Sequence, residues 1–195
     1  MKNKTIAFWG LLIISITLFF FILNKQTEAK YSPEELDIEL HFNRMNKYLN
    51  EQLAHSSSQN IIIEDILSQQ SLLSDLVSQS PILVFRYSEL NCSYCFETEI
   101  LSLENIFAEV KQQIAILSSY RERRKFVLFN RNNRIEFPFF RIPQDAFNWI
   151  LEDYGSPYYF VLHPDLTVSH IYIPDTTFPE LNKQYLESVK KYLTE

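Results

Sequence analysis

The feature that most constrains this 195-residue chain lies in its middle. An unbroken apolar run, Pro81-Ile82-Leu83-Val84-Phe85, is followed by polar residues and then by Asn91-Cys92-Ser93-Tyr94-Cys95. After that, Ile100, Leu101, Leu103, Ile106, Phe107 and Val110 recur at helical spacing. A short continuous run rich in β-branched residues reads as a strand buried on both faces, which requires layers above and below it. Strand, dithiol and helix in that order place Cys92 at a helix N-terminus. There the unpaired N–H groups and the helix dipole favour a thiolate. Cys95, one turn on, is spaced to attack a mixed disulfide formed at Cys92.

The rest of the chain repeats the alternation. Ser32-Pro33-Glu34-Glu35 reads as a capped helix start, with Leu36, Leu40, Met45, Tyr48, Leu49 and Leu53 following at near-helical spacing. Ile61-Ile62-Ile63 reads as a short strand, and residues 71–79 as a helical stripe of Leu72, Leu73, Leu76 and Val77. Ile114-Ala115-Ile116-Leu117 is a second buried strand, residues 121–129 a helix, Phe137-Pro138-Phe139-Phe140 a third strand or the approach to one, and residues 144–151 a short helix. Residues 158–162 and 168–173 read as strands joined by a turn at His163-Pro164-Asp165-Leu166-Thr167, and residues 179–193 as a closing amphipathic helix. This order predicts an α/β fold around one mixed sheet, parallel in its early βα units and antiparallel in the late hairpin.

Ahead of the fold, residues 5–23 form a largely apolar stretch of 19 without charge, preceded by Lys2 and Lys4. As a helix it is about 28 Å long, close to a hydrocarbon core of roughly 30 Å. It exceeds the apolar region of an ordinary signal peptide, and no A-x-A pattern follows it. Residues 1–24 therefore read as an uncleaved membrane anchor, 25–59 as a helical juxtamembrane linker and 60–195 as the globular domain. The lysines favour an N-terminus inside and the domain outside the cytoplasm. Residues 1–30 hold four Lys and one Glu; removing them from 18 basic and 24 acidic residues leaves 14 and 23, a net charge of -9. A surface that acidic argues against a nucleic-acid partner. Arg121-Glu122-Arg123-Arg124-Lys125 is the exception, read as a solvated helix face or a docking patch.

Both cysteines of the chain belong to the C-x-x-C. They read as a redox pair, as half of a zinc site, or as incidental thiols or a static disulfide. Zinc needs about four ligands, and only His41, His55, His163 and His170 could complete the set. With two glycines there is no phosphate-binding loop, and no hydrolase signature occurs.

These segments together resemble the thioredoxin-like superfamily over residues 60–195, most closely its membrane-anchored TlpA/ResA-type thiol-disulfide oxidoreductases. The motifs that carry the resemblance are Ile82-Leu83-Val84-Phe85 leading to Cys92-Ser93-Tyr94-Cys95, and Tyr154-Gly155-Ser156-Pro157 leading to the apolar strand and hairpin. The resemblance implies Cys92 as nucleophile and Cys95 as resolving thiol. It makes Pro157 a cis-proline beside them, where the residues alone read equally as a turn, and gives Ser156 a substrate-pairing backbone. It implies protein thiols or disulfides as substrates, a membrane electron donor as partner and no cofactor or metal. The location it implies is the inner membrane, single-pass, with the domain on the periplasmic side.

The chain departs from that pattern at Asn91, where a Trp is common, and at the Ser93-Tyr94 spacer, which lacks Pro. Arg86 stands where the family carries a carboxylate or amide. Arg86 reads either as turned outward onto a surface acid or as buried near Cys92, where it favours the thiolate. Glu89, Glu97 and Glu99 are candidates for proton transfer, each also readable as a solvated charge. Tyr94, Tyr158 and Tyr159 are candidates for a groove beside the cysteines. Two other readings stay open: a non-catalytic thioredoxin-like binding or assembly module, and a Sco-like copper chaperone using both cysteines and His163.

Overall fold

The computed structural model describes residues 33–53, 58, 60–91, 93–153 and 155–195. The expected anchor, part of the linker and Cys92 lie outside these. The chain divides into two compact units, Met1–Asn43 and Arg44–Glu195. Of the first, only residues 33–43 are described, as the opening of helix α1 (Pro33–Leu53).

The second unit is an α/β sandwich around a seven-stranded mixed sheet, as the alternation predicts. Its strands are β1 (Ile62–Glu64), β2 (Gln70–Leu72), β3 (Ile82–Ser88), β4 (Ile114–Ser119), β5 (Phe139–Ile142), β6 (Tyr158–Leu162) and β7 (Val168–Tyr172), in spatial order β2-β1-β5-β4-β3-β6-β7. The central strands β5, β4 and β3 run parallel; β6 and β7 add antiparallel on one side, β1 and β2 on the other. The remaining helices are α2 (Ser93–Phe107), α3 (Arg123–Asn133), α4 (Ile150–Asp153) and α5 (Pro179–Thr194).

Strand β3 is the spine. Six of its seven residues are buried, and successive side chains alternate between two cores. Phe85 and Tyr87 face α2 and α3, with Phe85 stacked on Phe96 at 5.8 Å and Tyr87 on Phe129 at 5.4 Å. Ile82 and Val84 face the opposite way, into a cluster with Leu49, Leu53, Leu151 and Phe160. The second half of α1 thus caps that face. It also bonds the sheet edge. Asn50 accepts from the Ile171 N–H at 2.6 Å and donates to the Ile171 carbonyl, and Asn46 accepts from the Ile173 N–H at 3.0 Å. Two asparagines one helical turn apart thereby meet Ile171 in β7 and Ile173 just past its end.

Two expected helices are replaced. Residues 71–79 divide into β2 and a 3-10 turn, Leu73–Val77. The Asp65 carboxylate accepts from the Leu67 and Gln69 N–H groups at 2.8 Å each, closing a hairpin that draws residues 70–72 into the sheet. Its four apolar residues fit a helical period, but pairing with β1 wins over that period for the first of them. Of residues 144–151 only the last two are helical. Phe147 and Trp149 stack at 4.6 Å and meet Phe160 edge-on, which holds the chain irregular as it crosses the sheet end.

Candidate functional site

The site forms where parallel strands β3 and β4 end and the chain enters α2 and α3. Cys92 itself is outside the described residues; its neighbours fix the setting. Asn91 makes two bonds. Its side-chain oxygen accepts from the Ser88 N–H at 2.6 Å, holding the turn after β3, and its Nδ2 donates to the Gly155 carbonyl at 2.6 Å. The residue before Cys92 therefore ties its loop to the loop carrying Ser156 and Pro157, 64 positions away. Gly155 has φ +64°, the left-handed region, and a Cβ there meets nothing within 4 Å. The need for glycine is thus backbone conformation rather than space.

Ser156 is exposed and Pro157 is buried, directly before β6. No peptide bond between described residues is cis, so the Ser156–Pro157 bond is trans, contrary to the expectation from resemblance. Gly155 takes the turn one residue earlier, and trans is the lower-energy isomer unless packing overrides it. Cys95 is half-buried at the third position of α2. Tyr94 is exposed and Tyr159 is buried in the core, whereas Tyr158, also buried, lines a cleft together with Asn91 and Ser156.

Arg86 neither turns outward nor stands alone. It is 2% exposed. Its Nε and Nη2 donate to the two carboxylate oxygens of Glu152 at 2.9 and 2.7 Å, Nη2 also reaches Ser119 Oγ at 3.2 Å, and Nη1 donates to the Tyr87 carbonyl. Tyr158 donates to the same carboxylate at 2.6 Å. Burial, then the Glu152 charge, holds the Tyr158 phenol well above its ordinary pKa, so it stays a donor. Glu152 and Tyr158 bracket the Gly155 loop, so Arg86 staples both ends of that loop to β3. The same residues line a cleft of about 480 Å³ with Asn91, Gly155 and Ser156.

Glu99 is not a solvated charge. One turn beyond Cys95, it is 1% exposed, accepting from Tyr159 Oη at 2.8 Å and Asn182 Nδ2 at 3.2 Å. Asn182 in turn accepts from Tyr172 Oη at 2.8 Å. Burial raises the Glu99 carboxyl above the usual range, against the pull of those two donors. A carboxylate on the apolar stripe of Phe96, Ile100, Leu103 and Phe107 is the signal in the sequence that marks it. Glu97 is exposed, and Glu89 accepts from the Arg121 N–H at 2.8 Å.

The copper ligand set is not brought together. Residue Leu162 pairs with Ile82 at the start of β3, so His163 lies beyond the opposite end of the strand from Asn91. Seven strand residues separate the two ends, roughly 20 Å. His163 instead shares Ser169 Oγ with His170, at 2.7 and 2.8 Å.

No protein-family model matches this sequence, and no curated protein matches it. Solved structures do match the fold. One is the thioredoxin domain of a thiol-disulfide oxidoreductase from Bacteroides vulgatus, with TM-score 0.53 and 17% identity, covering 71% of this chain and 96% of that one. Another is a thiol:disulfide interchange protein from Bacteroides sp., with TM-score 0.53 and 18% identity, covering 72% of this chain and 90% of that one. The likeness is one of fold: the second unit has a thioredoxin-like fold.

Proposed function

We propose that the protein is a membrane-tethered, extracytoplasmic thiol-disulfide oxidoreductase acting on protein cysteines through Cys92 and Cys95. The observation that carries the reading is the Asn91–Gly155 bond. In a thioredoxin-like fold, it joins the loop entering the C-x-x-C to the Ser156-Pro157 loop. The Cys92 thiolate attacks one sulfur of a substrate disulfide and the other sulfur leaves as a thiolate, giving a mixed disulfide. Cys95 then attacks Cys92, releases the second substrate thiol and leaves the pair oxidised. The backbone of Ser156 offers strand-like pairing to the substrate segment. A membrane electron donor returns the pair to the dithiol, and the apolar residues 5–23 hold the domain near it. Redox titration of the full chain against glutathione, with thiol trapping, tests this. A two-electron transition that is lost in Cys92→Ser supports it. Thiols that neither cycle nor exchange reduce the protein to a binding module.

A further inference from the structure

Of the 14 basic residues in residues 31–195, six lie within residues 121–134, accompanied by one acid, Glu122. The other 151 positions of that span therefore carry eight bases against 22 acids. The concentration lies on α3 and the turn before it, and residues 121–125 are all exposed. Arg123, Arg124 and Lys125 open the helix, with no acid in its first turn. Cations there oppose the helix dipole, so the placement is unfavourable for α3 itself. A local choice that works against its own element points to a use elsewhere.

The position suggests the use. Glu89, in the loop before Cys92, accepts from the Arg121 N–H at 2.8 Å and stands 4.0 Å from Lys125 Nζ, while its own N–H donates to Ser119 at 3.0 Å. The start of α3 is thus bonded to the loop that leads to the thiols. Some of the charge is answered locally. Arg123 and Arg141 share the Glu64 carboxylate at 2.8 and 2.5 Å, and Lys125 pairs with Glu122 at 3.1 Å. Arg121 and Arg124 form no ion pair among the described residues.

We propose that this basic start of α3 docks a short acidic segment of the protein whose cysteines are exchanged. The inference rests on the oxidoreductase reading and gives it a substrate class: thiols or disulfides flanked by Asp and Glu. Charge complementarity selects a short segment. A long polyanion or an anionic bilayer leaving the patch meets the rest of residues 31–195, which hold 22 acids to eight bases, and is repelled. A few carboxylates confined to the patch are not. Over a Debye length of about 10 Å the local positive field prevails.

The test measures binding and exchange separately, on the full chain in a nonionic detergent. Labelled peptides carry acidic, neutral or basic residues around a serine, and fluorescence anisotropy reads their affinity. The acidic peptide is expected to bind about tenfold more tightly than the neutral one at low ionic strength. The advantage should vanish in Arg121→Glu/Arg124→Glu and toward about 1 M salt. Equal affinity for all three peptides overturns the proposal. So does a charge-reversed variant that binds like the wild type, or equal competition by phosphatidylglycerol in mixed micelles of the same detergent. Cysteine versions of the peptides then separate the two claims. Charge-dependent binding without exchange defeats the oxidoreductase reading alone. Exchange at a rate indifferent to peptide charge defeats the docking face alone.

Discussion

Replacing Glu152 by Gln tests the staple across the site. The substitution keeps size and one acceptor oxygen but removes the charge facing Arg86, which is 2% exposed. Breaking a fully buried pair from one side typically costs about 3–5 kcal/mol, because the remaining ion is stranded. Glu152 retains a side-chain exposure of 20%, so water screens part of the interaction and the expected loss is about 2–3 kcal/mol. With a urea m-value of about 2 kcal/mol/M, the unfolding midpoint drops by about 1–1.5 M at unchanged slope. Equilibrium unfolding followed by far-UV circular dichroism reads this directly. Arg86→Leu/Glu152→Leu should recover most of the loss, since neither charge is then stranded. The two single changes should be non-additive by about 2 kcal/mol. A Glu152→Gln loss under about 0.5 kcal/mol, or strict additivity in the cycle, would refute the claim that one charge holds the other in the core.

Three further outcomes are expected. Glu99→Gln should gain stability relative to wild type as pH rises from about 5 to 8. The raised Glu99 carboxyl contributes most below its unfolded value of 4.5 and loses that contribution as pH rises through its folded value; a difference flat with pH contradicts this. His170 is held below its ordinary 6.5 by burial and by facing His163. The His170 contribution to stability should therefore fall as pH drops below about 6.5, where the unfolded chain takes up a proton the folded one resists. In His170→Asn, which tolerates the observed φ of 51°, that slope should flatten, as thermal melts across the range can show; parallel slopes contradict it. Asn50→Ala strips both side-chain bonds from Ile171 and should cost about 1–3 kcal/mol, with faster amide hydrogen exchange confined to β7; protection there equal to wild type would count against the edge bonds.

The sheet was legible because its central strands are continuous apolar runs long enough to be distinguished from loops, and because the C-x-x-C punctuates one of them. Residues 71–79 were not, since Leu72, Leu73, Leu76 and Val77 satisfy a helical period while the hairpin that overrides it depends on one side chain, Asp65. Cys95, Ser156 and Pro157 were legible as candidates from their segments. Their support was not. The partners of Arg86 and Glu99 lie 66 and 60 positions away, and a lone charged letter carries no mark of its counterpart. Asn91 read as a departure from a family pattern, whereas in three dimensions it is the residue that bridges two loops.

The asparagines on α1 have a consequence for how molecules meet one another. A terminal strand with vacant amides invites a neighbouring chain to continue the ladder, and stacked copies can grow without limit from such a start. Here Asn46 and Asn50 occupy the amides of Ile173 and Ile171 with side chains that cannot themselves be extended. The opposite boundary, β2, is three residues long and offers too few rungs to seed a stack. Fibrillar assembly through β-strands is thereby blocked at one margin by chemistry and limited at the other by length.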